Sequence, residues 1–158
     1  MRLHLLRHGD ALFGGSDDQA RVLSPKGEAD IQKVGEYLKQ EGARFDAVYA
    51  SPYKRTQQTA EIIGSILKFT DPVVLDKSLI PGITPGQLLE KLELLDGNNF
   101  LLITHQPLIS RFMGVVLENN AAASYQYPMN PGSYAVIDLT VIAAGCGLLR
   151  QAIHPESL

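Results

Sequence analysis

The chain has 158 residues, 45% hydrophobic and 20% charged, with a formal net charge of −3. That length suits a single domain spanning residues 1–158, one that buries about 68–70% of its unfolded surface and so has a real core. The mild acidity excludes a general nucleic-acid binder and the lack of low-complexity tracts excludes disorder, yet a small cationic pocket can still draw in a phosphate.

The first predicted strand covers residues 2–7 and runs out into Arg7-His8-Gly9. The opening residues are too short for a signal-peptide core, and cleavage after them would remove that triplet, so the N-terminus is expected to be retained. Gly14-Gly15 marks a flexible loop that fits no nucleotide-binding glycine motif. Ser24-Pro25 then opens a helix with an apolar stripe of Ile31, Val34, Tyr37 and Leu38. A strand at 47–50 leads into Ser51-Pro52, read as the capping hydroxyl and first-turn proline of a second helix with a stripe of Ala60, Ile63, Ile66 and Leu67. A short strand at 73–75 follows, and Thr84-Pro85, with Gln87 completing a capping box, starts a third helix.

The strand at 100–104 delivers His105, and Gln106-Pro107 marks the start of another helix. The last third reads as strands at 133–140 and 148–153 joined around Ala143-Ala144-Gly145, an antiparallel hairpin at one edge of the sheet. The apolar stretch 135–149 is broken by Asp138 and glycines and falls short of the roughly 20 residues that span a bilayer, so no membrane span is predicted. Cys146 stands alone, which excludes an internal disulfide and favours a reducing, cytoplasmic setting. Alternation of strands and helices predicts an α/β fold: a three-layer αβα sandwich on a mixed, mostly parallel sheet with an antiparallel edge.

Arg7-His8, the segment from Ser51 to Arg55, and His105 each fall at the C-terminal end of a predicted strand, where open α/β sheets bind ligands. An unprotonated imidazole is a competent nucleophile toward phosphorus, and an arginine beside it offers a planar fork of donors for phosphoryl oxygens. Arg55 lies in the first turn of its helix, near the positive dipole end, and His105 can donate to a phosphoryl oxygen. Arg21 can either reach the same anion or order its own loop, and Gly9 completes the triplet. His4, in the first strand four positions before His8, points to the same face and makes a His4/His8/His105 metal site conceivable, but no carboxylate or cysteine pairs with them and no metal is expected. His154, close to the C-terminus, is expected to be exposed.

These segments together resemble the histidine phosphatase superfamily, which includes the cofactor-dependent phosphoglycerate mutases, and in particular its small SixA-type phosphohistidine phosphatase branch. The resemblance rests on Arg7-His8-Gly9-Asp10, on the stretch from Asp18 to Gly27, on the run from Ser51 to Ala60, and on Thr104-His105-Gln106-Pro107, in the family's order. It extends from Met1 to about Leu117 and weakens beyond. It implies a phosphoglycerate mutase-like fold and a catalytic set of His8, Arg7, Arg55 and His105, with Arg7, Gly9, Arg21, Arg55 and His105 binding substrate and no metal or other cofactor.

On that resemblance His8 forms a transient phosphohistidine, and water then releases phosphate. The expected partner is a phosphorylated protein, the histidine phosphotransfer domain of a signalling relay, or else a small phosphate ester. The connection from Asp76 to Thr84 is short and lacks the glutamate that mutases and many ester phosphatases of the superfamily carry in an insertion. The leaving-group acid is therefore unassigned, with Asp10, Asp17 and Asp18 as candidates by position. A phosphoramidate needs such an acid less than a sugar ester does, and a chain without a lid should leave an open pocket that suits a phosphorylated side chain. Two other readings stand beside this one: a small-molecule phosphomonoesterase on the same scaffold, and a non-catalytic phosphate-binding module.

Overall fold

The computed structural model describes all 158 residues. Its sheet has six strands: β1 (Arg2–Arg7), β2 (Ala47–Ala50), β3 (Val74–Leu75), β4 (Asn99–Thr104), β5 (Tyr134–Leu139) and β6 (Gly147–Ile153), in the order β3-β2-β4-β1-β5-β6. The four strands from β3 to β1 run parallel, and β5 and β6 close the other edge in antiparallel fashion. This is the expected mixed sheet with its antiparallel edge.

Four helices cover it: α1 (Pro25–Gln40), α2 (Lys54–Leu67), α3 (Pro85–Glu93) and α4 (Leu108–Glu118). Successive strand residues point to opposite faces, so each central strand feeds two cores. Leu6, Leu101 and Ile103 pack with Ile31, Val34 and Leu38 of α1 and Ala60 and Ile63 of α2. Leu3, Leu5, Phe100 and Leu102 pack with Leu88 and Leu92 of α3 and with Ile109, Phe112, Met113 and Val116 of α4. The sheet is therefore buried on both faces, as a parallel α/β sheet requires, and the three layers match expectation. No helix is long and apolar enough to cross a membrane.

Two helix starts form as their residues dictate. Ser24 Oγ accepts from the Gly27 amide, and Thr84 with Gln87 closes both halves of a capping box. The third differs. The N-cap of α2 is Tyr53, without a side-chain cap, because the helix begins two residues later than Ser51-Pro52 suggests; Ser51 Oγ accepts from the Tyr53 amide at 3.4 Å and pairs with His105. The connection between β3 and α3 is a single 3₁₀ turn over Lys77–Leu79 capped by Asp76, with no inserted subdomain.

The loop after β1 lies hard against the start of α1. A Cβ on Gly27 would stand 2.0 Å from the Asp10 carbonyl oxygen, and one on Gly9 would stand 2.8 Å from the Gly27 carbonyl oxygen. Backbone meets backbone there, so neither position admits a side chain without moving the loop that carries His8. Gly27→Ala should destabilise the fold by roughly 1–3 kcal/mol through overpacking. Gly86→Ala, whose Cβ would find nothing nearer than 3.9 Å, should not, and urea unfolding of the two variants checks the contrast.

Candidate active site

The register of β1 against β4 sets Arg7 opposite Thr104, and the His8 amide donates to the Thr104 carbonyl at 3.1 Å. His8 and His105, the residues directly after that pair, come to 5.0 Å between ring centroids. On the other side of β4 the Ser51 amide donates to the Ile103 carbonyl at 3.0 Å, which brings Ser51 Oγ to 2.7 Å from His105 Nε2. Three distant stretches of sequence thus meet at the C-terminal edge of the sheet.

Both ring nitrogens of His8 have defined roles. Nδ1 lies 2.7 Å from the Gly9 carbonyl, which can only accept, so Nδ1 carries the proton. Nε2 is left with its lone pair, and the Arg55 Nε–H donates to it at 3.2 Å. Arg55 is otherwise held at the far end of its guanidinium, where Nη1 donates to the Asp18 carbonyl at 2.6 Å and Nη2 to Asp18 Oδ2 at 3.1 Å. The Tyr53 ring lies against that guanidinium, 5.0 Å from centroid to Cζ, and also 5.0 Å from the His105 ring.

Arg7 donates from Nη1 to the Met129 carbonyl at 2.8 Å, while its Nε has no partner. The other buried side-chain nitrogen or oxygen without a partner is His105 Nδ1. A buried polar atom left unmet costs about 1–3 kcal/mol, and the two such atoms of this protein belong to two residues of one cluster. An incoming group rich in oxygen would satisfy such atoms.

The remaining predicted residues have local partners. The Gly9 amide donates to Thr59 Oγ1 at 3.2 Å. Arg21 spends its donors within its own loop, on the carbonyls of Leu12 and Ala11 and on Asp18 Oδ1 at 3.0 Å, so its link to Arg55 runs through Asp18. Asp17 caps the 3₁₀ turn at Asp18–Ala20 and Asp10 accepts from Ser24 Oγ. Although desolvation acts in the opposite sense, donation by Arg21 and Arg55 holds the Asp18 carboxyl below its ordinary range, so at neutral pH it has no proton to give. His4 is no part of the cluster: its Nδ1 is paired with the Tyr134 hydroxyl and its Nε2 with Asn99 Oδ1, so the conceivable metal set does not assemble. His154 is half-buried rather than exposed, with Nδ1 on Ser133 Oγ at 2.6 Å.

Ser51, Thr59, Asp18 and Tyr53 were not assigned these contacts by sequence reasoning. Ser51 before a proline reads as a helix cap, and only the pairing of β2 with β4 turns its hydroxyl toward His105.

Burial is the main reason that both histidines stay neutral. It pushes His8 down to about 4, against the Gly9 hydrogen bond and helped by Arg55, Arg7 and Arg21. It likewise pushes His105 down to about 2, helped by His8 and Arg55. The neighbouring cations act in the same direction, but desolvation outweighs them. The unfolded chain takes up a proton on His8 near 6.5 that the folded chain refuses until about 4. Stability should therefore fall as pH drops from 6.5 toward 4, and the fall should be shallower in His8→Asn, as thermal melts across that range would show.

A model of the histidine phosphatase superfamily (branch 1) matches residues 3–80. The chain is 28% identical over 161 residues to phosphohistidine phosphatase SixA of Escherichia coli K12, covering 100% of this chain and 96% of that protein. It is 33% identical over 112 residues to an uncharacterised protein of Picosynechococcus, covering 68% of this chain and 67% of that one. In fold it is similar to the solved structure of the protein histidine phosphatase SixA complexed with tungstate, with a TM-score of 0.86, 22% identity and 99% of each chain covered. With a matching family model, relatives aligned along most or all of the chain and the same fold, this chain belongs to the histidine phosphatase superfamily.

Proposed function

We propose that the protein is a metal-independent phosphohistidine phosphatase that removes the phosphoryl group from a phosphohistidine on another protein, the phosphotransfer domain of a signalling relay. The observation that carries this reading is His8 itself: Nδ1–H tied to the Gly9 carbonyl, and Nε2 deprotonated beside the Nε–H of Arg55. The full-length similarity to SixA supports the substrate class.

In the first step the Nε2 lone pair of His8 attacks phosphorus, a bond from Nε2 to phosphorus forms, and the bond from phosphorus to the substrate imidazole breaks. The departing imidazole takes its proton from solvent. In the second step water attacks the phosphorylated His8, phosphate leaves, the water's proton passes to solvent, and Nε2 recovers its lone pair. Arg7 and Arg55 hold the equatorial oxygens as charge shifts among them. With the Ser51 hydroxyl donating to His105 Nε2, His105 Nδ1 is left as a buried N–H donor for the same oxygens.

Asp18 fits here as a positioning residue and not as an acid. By occupying the Nη1 and Nη2 end of Arg55, it leaves the Nε side of the guanidinium turned toward His8. Asp10 and Asp17 are committed to Ser24 and to a 3₁₀ turn. A site without a carboxylic acid suits a leaving imidazole, which solvent can protonate on its other nitrogen, better than an alkoxide.

The test is dephosphorylation of a phosphohistidine-bearing phosphotransfer domain beside a panel of phosphate monoesters, by wild type and His8→Ala. Selective loss of phosphohistidine that depends on His8, with an acid-labile phosphoryl label trapped on wild type by rapid quench, is the expected result. Preferential ester hydrolysis would move the protein to a metabolic role, and phosphate binding without turnover would make it a binding module. Asp18→Asn should lower kcat by about tenfold, the loss of a charge-assisted hydrogen bond, with little change in thermal midpoint.

A further inference from the structure

Phe13 is 96% exposed on the segment between β1 and α1, and leaving a phenylalanine so open forgoes one of the larger apolar gains available to a side chain. The segment around it is not slack. Ala11 pairs with Leu23 in an isolated antiparallel bridge, the Leu12 amide donates to the Val22 carbonyl at 2.9 Å, and the Leu23 amide donates to Gln58 Oε1 at 2.8 Å. Arg21 ties the two arms together through the carbonyls of Ala11 and Leu12, and its guanidinium lies 5.1 Å from the centre of the Phe13 ring. Leu12 and Val22, 48% and 37% exposed, add apolar surface at the paired base of the loop.

This loop also belongs to the catalytic edge. Arg21 donates to Asp18, Asp18 accepts from Arg55, and Arg55 donates to His8. A phosphohistidine side chain is short, and His8 is only 8% exposed. For phosphorus to reach Nε2, the backbone that bears the phosphohistidine must come close to the residues around the nucleophile, so its flanking side chains must cover part of this loop. A free phosphoramino acid makes no such demand.

We infer that the loop from Ala11 to Val22 is the docking surface for the phosphoprotein, with Phe13 as the anchor that packs against apolar side chains flanking the partner's phosphohistidine. The inference rests on the phosphohistidine reading above. With the base of the loop paired and the Phe13 ring set against Arg21, the phenylalanine has less conformational entropy to lose on binding, which is the property of an anchor residue. Phe13 thus sets specificity for a phosphohistidine carried on a protein over the same group on a small molecule.

The test compares two substrates, a phosphohistidine-bearing phosphotransfer domain and free phosphohistidine, on purified full-length wild type, Phe13→Ala and Phe13→Leu. Phe13→Ala should raise KM for the protein substrate by about tenfold with kcat within about twofold, and leave kcat/KM for free phosphohistidine within about twofold. Phe13→Leu should recover much of the loss. Leu94→Ala, a control at an exposed apolar residue (80% exposed) just past α3, should leave the kinetics on both substrates unchanged. An unchanged KM for the protein, or equal losses on both substrates, would overturn the docking role while leaving the phosphatase reading in place. A wild type that clears neither substrate would remove the phosphatase reading first and this inference with it.

Discussion

The parallel pairing of β1 with β4 holds Arg7 opposite Thr104, and the meeting of the two histidines follows from that register. Because both faces of the sheet are apolar, simple alternation pins the register less firmly here than in a sheet with one wet face. His4 supplies the missing constraint. It is buried in β1 with one ring nitrogen on Tyr134 of β5 and the other on Asn99 of β4, so a slip of β1 against either neighbour would strand a buried imidazole. The close approach of Gly9 and Asp10 to Gly27 then fixes the loop that leaves the strand. A polar residue outside the cluster thus helps to fix where the two histidines meet.

The site runs on an imbalance between charge and solvent. Arg7, Arg55 and Arg21 outnumber the one carboxylate that pairs with them, Asp18, and both imidazoles are held neutral chiefly by burial. In the proposed reaction a phosphoryl group brings the oxygens that Arg7 Nε and His105 Nδ1 lack and the negative charge that the arginines attract. The donors are already fixed by Met129, Asp18 and Ser51, so little reorganisation is left for the moment of reaction.

Fold and site were legible in the sequence to different depths. The strands, the helix stripes and the antiparallel edge could be read because each depends on local periodicity and turn chemistry, and the structure has them. That Arg7, His8, Arg55 and His105 would meet followed from one topological rule, since Arg7, His8 and His105 stand at the C-terminal ends of strands and Arg55 in the first turn of the helix that follows one. What could not be read were partners chosen across the fold. Ser51 before a proline looks the same whether it caps α2 or supports His105. Asp18 looks like a loop carboxylate until Arg55 and Arg21 are brought to it from elsewhere in the chain. His154 looks like a frayed terminus until Ser133 is found beside it. Composition and spacing carry no information about which side chain a fold will bring within 3 Å of another.

The short connection from β3 to α3 bears on how such a site selects its substrate. With one 3₁₀ turn in place of an inserted segment, nothing from that side roofs the nucleophile or delivers a proton to a leaving group. On the proposed function, selection then rests on the chemistry of the leaving group, which must manage without an enzymic acid, and on the loop between Ala11 and Val22. That loop holds Arg55 in line through Asp18 on its inner side and presents Phe13 on its outer side. The Phe13 ring rests against Arg21, and Arg21 shares Asp18 with the arginine that faces His8. Docking and alignment are thus separate tasks of one loop: Phe13 holds the partner and so acts on KM, while Asp18 holds Arg55 and so acts on the chemical step.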